Sequence, residues 1–194
     1  SSAASDVYNR QVQILVDFIS ENNLVLENAK EFLITTIGEI FTNAFGHSNE
    51  KKVFYMYDIE WHDHKFYLVI NITDYGKTIV SNVQSYRAER FGEKTKSRDC
   101  IRWAIRMGNT TRLGSGGYGL PTLIDYVSKI KGELLIFSGD AIYALKGTKE
   151  NILNAKGDFY GTSISMKIPL FDTSQAIMYD EESNKIVSID LDKI

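Results

Sequence analysis

The sequence is poor in cysteine and proline and has no long apolar run. Cys100 is its single cysteine, which excludes an internal disulfide framework and a zinc site built from cysteines. No segment approaches the roughly 20 apolar residues that a helix needs to cross a bilayer, and no signal-peptide pattern opens the chain. These absences predict a cytoplasmic protein without a membrane segment.

The composition fits one packed domain. Of the 194 residues, 43% are apolar, 12% are aromatic and two are proline. This is enough for one sizeable core but short for two. Residues 1–5, Ser-Ser-Ala-Ala-Ser, are interpreted as an expression remnant or a tail. The domain is expected over 6–170, followed by a C-terminal hairpin or linker extension over 171–194.

Hydrophobic periodicity predicts separate runs of helices and strands. The predicted helices cover 6–19, 26–47, 98–107 and 121–130, and the rest of 80–114 is expected to be mostly irregular. The predicted strands cover 52–61, 65–74, 133–138, 141–146 and 161–169, the first two forming a hairpin. This order predicts an α+β fold, a two-layer sandwich in which a mixed, mostly antiparallel sheet is covered on one face by helices.

A glycine-rich loop leads into one of these helices. Residues 114–120 read Gly-Ser-Gly-Gly-Tyr-Gly-Leu, and Pro121 follows in the first helical turn. Backbone N–H groups free of nearby Cβ atoms, next to a helix N-terminus, are typical of a phosphate site. A Walker A loop is excluded, because no Lys and Ser or Thr follow the last glycine. The missing strand before Gly114 disfavours a dinucleotide fingerprint, and the missing His-Arg-Asp segment disfavours a protein-kinase glycine loop.

Positive charge is concentrated before this loop. Between Lys77 and Leu113, nine basic and three acidic residues give a local net charge of +6, although the whole chain carries −3. A basic segment beside a glycine loop, in an otherwise acidic protein, favours a compact polyanion over a long nucleic acid. The alternative is a solvated helix surface.

Two further clusters carry polar side chains. Glu39, Asn43 and His47 lie four residues apart on the second predicted helix and therefore share one stripe. Such a stripe can orient a water, bind a hard cation and contact phosphate, although taken alone it is more often a solvated helix flank. Asp74 ends an apolar strand just before Gly76. Its carboxylate can accept from an exocyclic amine, and the alternative is a strand-terminating turn.

In this order and spacing, the motifs resemble the GHKL superfamily of ATP-binding domains, whose fold is the Bergerat fold. Residues 34–48 are similar to its N box, 74–79 to its first glycine box and 115–120 to its second. Gly161-Thr162 is similar to its last motif. The resemblance covers about 26–170 and is nearest in style to anti-sigma-factor serine kinases and histidine kinase catalytic domains.

The resemblance implies ATP and Mg²⁺ as cofactors and gives residues of the N box specific roles. Glu39 matches the general base of the ATP-hydrolysing members. Asn43 would bind the Mg²⁺ that bridges the phosphates, and His47 would lie near those phosphates. Residues 77–113 correspond to the ATP lid of the family, which accounts for their positive charge.

The resemblance also implies the remaining nucleotide contacts. Asp74 would bind the adenine amino group, with Gly76 allowing close approach and Thr162 supporting that side of the site. The other implied contacts are Ile79, Arg106, Arg112, Gly117, Tyr118, Gly119 and Leu120. The sequence departs from the family where Thr78 and Ser115 replace motif glycines. We expect Thr78 to reshape the adenine side or weaken nucleotide affinity.

The implied activity is transfer of the ATP γ-phosphoryl group to a partner protein, as a serine/threonine or histidine type of protein kinase or as an ATPase. We therefore expect a protein partner or phosphoacceptor and no nucleic acid. The alternative is an ATP-gated interaction or dimerisation switch that hydrolyses ATP slowly and transfers no phosphate. In that case the partner could be a second copy of the chain.

Overall fold

The computed structural model describes residues 53–63, 65–111, 116–172, 176–180 and 185–189, together with six residues nearer the N-terminus. Those six are Arg10, Gln13, Ile14, Asp17, Gly38 and Ile40, and all are helical. In chain order, the elements are β1 (Val53–His62), β2 (Lys65–Asp74), α1 (Ile79–Phe91), α2 (Ser97–Ala104), α3 (Gly119–Lys129), β3 (Glu133–Lys146), β4 (Lys149–Asp172), β5 (Ala176–Asp180) and β6 (Lys185–Ile189).

The first four strands form one sheet of order β1-β2-β4-β3. The hairpin of β1 and β2 pairs from Val53 with Asp74 to His62 with Lys65, as the two runs rich in Tyr, Phe, Val and Ile predict. Every pairing in the described residues is antiparallel, so the mixed sheet was a wrong prediction. β3 runs in the same direction as β2, but β4 returns between them and separates them. The α+β class itself is confirmed.

The core lies between one face of this sheet and the helices. Alternate residues of β2 (Leu68, Ile70 and Ile72) are at most 2% exposed, because successive strand side chains point to opposite faces. They share one apolar cluster with residues from all three helices, namely Val80, Val83, Cys100, Ile101, Leu123 and Val127. Ile40, from the N-terminal part, is also buried in this cluster. No helix in the described part is long and apolar enough to cross a membrane.

β3 is one bent strand where two separate strands were predicted. Gly139 has φ +62°, and the pairing with β4 shifts register on both sides of it. The second half of β3 therefore folds back until the Gly147 N–H donates to the Gly132 carbonyl at 2.8 Å. Ala141 and Tyr143 are fully buried by this bend. One edge of the core is therefore covered by β3, because the second half of this strand runs back over the first.

α1 occupies a segment that was predicted to be mostly irregular. Thr78 caps its start, with Oγ1 accepting from the Ser81 N–H at 2.8 Å, and Gly92 ends it in the left-handed conformation. Val80 and Val83 are its buried residues, so its apolar periodicity is weak. The prediction was wrong because the end signals, a threonine cap and a terminal glycine, were stronger than the periodicity.

Replacing Thr78 with alanine should lower the free energy of unfolding by about 1 kcal/mol, because the Ser81 N–H loses its capping acceptor. Thr78→Ser keeps the hydroxyl and should stay close to the original protein. Urea denaturation of the three proteins measures the difference. Equal stability of the alanine and serine variants would show that the cap contributes nothing.

Candidate functional site

Three polar residues interrupt the apolar face of the sheet in a single row. Asp74 is 5% exposed, Ser138 is fully buried and Thr162 is 8% exposed, and they are the buried polar residues of the described chain. Thr162 pairs in register with Asp74 on one side and with Ser138 on the other. We call these three residues the buried polar row. The row lies at the end of β2, where the apolar core gives way to polar residues next to the start of α1.

The carboxylate of Asp74 is held by backbone donors. Its Oδ1 accepts from the Gly76 N–H at 2.9 Å, and the backbone N–H of Thr162 also donates to the carboxylate. Burial raises the pKa of Asp74 more than these two hydrogen bonds lower it. A carboxylate has about four acceptor positions. It therefore keeps acceptor capacity for a ligand that brings an N–H group.

Gly161 lets β4 approach this carboxylate closely. Its φ is +137°, and a Cβ added to it would lie 1.9 Å from the carbonyl oxygen of Asp74. No side chain fits at that distance. The glycine of the predicted Gly-Thr motif is thus required by contact between two strand backbones, and this contact sets the Thr162 N–H beside Asp74.

Ser138 connects the row to α1. Its Oγ accepts from the Ile79 N–H at 2.8 Å and lies 2.8 Å from Thr162 Oγ1. Sequence reasoning missed Ser138. The available signal was a serine at the core-facing position that follows Leu134 and Ile136 in the alternation of β3.

The glycine loop forms a second group of predicted residues. Gly117 has φ +81°, and a Cβ there would lie 2.2 Å from the Asn109 carbonyl oxygen. Gly117 accepts from the Gly108 N–H at 3.0 Å. The loop is therefore packed against the turn that follows α2, and this packing requires glycine at position 117 whether or not the loop binds phosphate.

α3 begins directly after this loop, at Gly119. Tyr118, which precedes it, makes no side-chain capping hydrogen bond. Gly119 is half-buried, and the Tyr118 ring is exposed. Leu120 is partly buried beside the core. The first N–H groups of α3 therefore form a partly exposed helix N-terminus, where the helix dipole favours an anion.

The predicted site residues are thus described in two groups. Asp74, Gly76, Ile79 and Thr162 are joined by the hydrogen bonds of the buried polar row. Arg106 is exposed in the turn after α2, where its carbonyl accepts from the Asn109 N–H, next to the glycine loop. Glu39, Asn43, His47 and Arg112 lie outside the described residues, as does the Mg²⁺ site expected at Asn43.

The basic segment keeps most of its charge unpaired by its own acidic residues. Two of its arginines form ion pairs, Arg87 with Glu93 and Arg102 with Asp99. Since the segment has nine basic and three acidic residues, these pairs leave its excess of cations unchanged.

A polar cavity of about 520 Å³ opens at the start of α2. None of the predicted site residues that the structure describes lines it. It is lined by Gln84, Lys96, Ser97, Arg98, Asp99, Asp140 and Asn154. Cations and carboxylates are mixed in this lining, so it offers no clear preference for a ligand of one charge.

Compared with models of known protein families, the chain matches none, and a search of curated proteins finds no match. In the described part of the chain, no group of His, Cys, Asp and Glu side chains could hold a metal ion. The interpretation of the site therefore depends on the geometry of its own residues.

Proposed function

We infer that the chain is an ATP-binding domain of the GHKL type, with the Bergerat fold, which transfers the γ-phosphoryl group of ATP to a partner protein. The observation that carries this inference is the buried carboxylate of Asp74. A buried carboxylate is costly unless hydrogen bonds compensate it, and burial raises the pKa of Asp74 despite two backbone donors. An amino group of a bound base would supply the missing donor.

The second support is the partly exposed N-terminus of α3 beside a segment of net charge +6. Phosphate groups are stabilised by helix N-termini and by nearby cations. Arg106 lies in the turn against which the glycine loop packs. A base at Asp74 and phosphates at Gly119 would use both groups of the site at once.

The catalytic part of the proposal rests on the N box. Glu39 would act as the general base, Asn43 would bind Mg²⁺ and His47 would contact the phosphates. The cation would neutralise charge between the phosphates. Arg112 and Arg106 would close over them as part of the basic segment.

Phosphoryl transfer is tested with ATP labelled at the γ-phosphate, Mg²⁺ and extract of the source cells. We expect label on a discrete acceptor protein, and Glu39→Ala should lower the transfer rate about 100-fold or more while ATP still binds. Asn43→Ala should lose Mg²⁺-dependent binding as well. Glu31→Ala, two helical turns earlier on the same predicted helix, is the matched control and should transfer normally.

The outcomes separate the kinase from the switch. If label never leaves the chain but sedimentation shows ATP-dependent dimers, the chain is an ATP-gated switch. If ATP neither binds nor is consumed, both forms of the proposal are wrong. Retained transfer by Glu39→Ala would remove Glu39 from the role of base.

A further inference from the structure

Ser138 closes a ring that includes the buried polar row and the start of α1. Asp74 is linked to Ile79 by four residues, 75–78. At one end of this turn the Gly76 and Thr162 N–H groups hold the carboxylate. At the other end Ser138 Oγ accepts from the Ile79 N–H at 2.8 Å and contacts Thr162 Oγ1 at 2.8 Å. Ser138 therefore connects α1 back to the row and completes the ring of contacts.

The hydroxyl proton of Ser138 has one favourable acceptor in this ring. A hydroxyl carries one proton and two lone pairs, and the Ile79 N–H occupies one lone pair. The nearest acceptors are Thr162 Oγ1 at 2.8 Å and the Gly161 carbonyl at 3.4 Å. Hydroxyl hydrogen bonds are best near about 2.7–2.8 Å, so the Thr162 contact is the stronger one. The row is thereby coupled to α1 through two short hydrogen bonds.

The first turn of α1 is held by the core packing of Val80 and by hydrogen bonds to its backbone donors. In this turn, the Ile79 N–H donates to Ser138 Oγ and the Ser81 N–H donates to Thr78 Oγ1. The Asn82 N–H donates to the Thr78 carbonyl. Thr78 itself belongs to the turn that Ser138 closes. Of these acceptors, Ser138 is the one that comes from the sheet, so it ties the start of α1 to the row that contains Asp74.

We propose that Ser138 is a positioning residue for nucleotide binding: it holds the 75–78 turn against Asp74, so that a ligand on the row also orders the first turn of α1. This rests on the proposed function, since the ligand is ATP. Buried chains of hydrogen bonds reinforce one another, and a ligand that rigidifies one part of such a chain is coupled to the rest. α1 lies at the start of the basic segment. Ordering of α1 by a bound base therefore affects the residues that would close over the phosphates.

The test is amide hydrogen exchange with and without saturating Mg²⁺ and ATP. In the unaltered protein, ATP should slow exchange at Ile79, Ser81 and Asn82 about tenfold, an opening cost of about 1.4 kcal/mol. Ser138→Ala should bind ATP about fivefold more weakly, the loss of one hydrogen bond. In that variant, ATP should no longer slow exchange at these three amides.

Three further variants separate positioning from general stability. Ser163→Ala is the matched control, because that serine makes an equally short hydroxyl contact, 2.8 Å to Thr73 Oγ1, on the opposite face of the same sheet. It should keep the response of α1. Thr162→Ser preserves the hydroxyl and should keep it too, whereas Thr162→Val breaks the ring and should lose it. This pair decides the question if Ser138→Ala does not fold.

Each result has a distinct meaning. Loss of the α1 response in Ser138→Ala and Thr162→Val, with ATP still bound, supports the proposal. An unchanged response in both variants overturns it and leaves ATP binding intact. If ATP does not bind even to the unaltered protein, the proposed function is wrong and the role of Ser138 falls with it.

Discussion

Asp74→Asn should abolish the rise in melting temperature that Mg²⁺ and ATP give to the unaltered protein. At an ATP concentration 100-fold above Kd, binding stabilises the folded state by about 2.7 kcal/mol. For a domain of this length that is roughly 5 to 10 °C in Tm. The carboxylate accepts from the Gly76 and Thr162 N–H groups and still has acceptor capacity. Asparagine offers one oxygen to those donors and turns its NH₂ group towards the amine of the base, so two donors meet.

The same variant should be at least as stable as the original protein without ligand. Burial raises the pKa of Asp74 above its ordinary value of 3.8. Because the pKa of Asp74 is higher in the folded state than in the unfolded state, protonation of Asp74 stabilises the fold. This stabilisation is complete below the pKa of the unfolded state and is lost as the pH rises through the pKa of the folded state. At neutral pH the ionised, buried carboxylate therefore destabilises the fold, and asparagine removes that cost. The stability difference in favour of the variant should grow as the pH rises from about 4.

Asp58→Asn is the control for this experiment. Asp58 is an exposed residue of β1 whose Oδ1 accepts from the neighbouring Ile59 N–H. It should keep the full response to ATP. Differential scanning fluorimetry with and without nucleotide measures all three proteins across the pH range. An equal rise in Tm for Asp74→Asn would exclude Asp74 as the base-binding residue.

The elements that sequence reasoning predicted well have strong β-forming composition, strong periodicity or clear end signals. The β1 and β2 hairpin follows from two runs of ten residues that are rich in Tyr, Phe, Val and Ile. α3 follows from its apolar stripe and from a proline in its first turn, and the structure begins it two residues earlier, at Gly119. In both cases, local preference and burial point to the same structure.

The elements that were missed depend on contacts between distant parts of the chain. α1 buries few side chains, so its sequence has little helical periodicity. β3 reads as two strands because Gly139 bends it, and the continuity comes from pairing with β4. Ser138 carries no motif. Its importance arises because two strands and a helix meet there, which no local pattern of residues records.

Like the fold, the candidate site could be predicted from the sequence only in part. Asp74, Gly76 and Thr162 were predicted from a resemblance of motifs, and the structure brings them together through hydrogen bonds. The glycine at 117 was predicted for contact with phosphate, and the structure adds a packing reason, because its neighbour is the Asn109 backbone. A glycine in a motif can serve packing, ligand approach or both, and only the surrounding atoms distinguish these.

Gly161→Ala should cause the largest loss of stability among the substitutions considered, about 3 kcal/mol or more. Two costs add together at this position. The φ of +137° is one that residues with a Cβ rarely adopt, and the new methyl group would lie 1.9 Å from the Asp74 carbonyl oxygen and 2.8 Å from the Tyr75 Cα. Both neighbours are backbone atoms, which cannot rotate away as a flexible side chain would. The strands must separate, and the Thr162 N–H would leave the Asp74 carboxylate.

Gly157→Ala on the same strand isolates the cause. Position 157 has no atom within 4 Å of an added Cβ and no positive φ, so alanine there should leave the free energy of unfolding unchanged or raise it by about 0.5 kcal/mol through the unfolded chain. Urea denaturation compares the two variants. Because separation of the strands also removes a donor from Asp74, Gly161→Ala should lose ATP binding even at temperatures where it stays folded. Equal stability of the two alanine variants would contradict the close approach of β2 and β4 on which the whole candidate site depends.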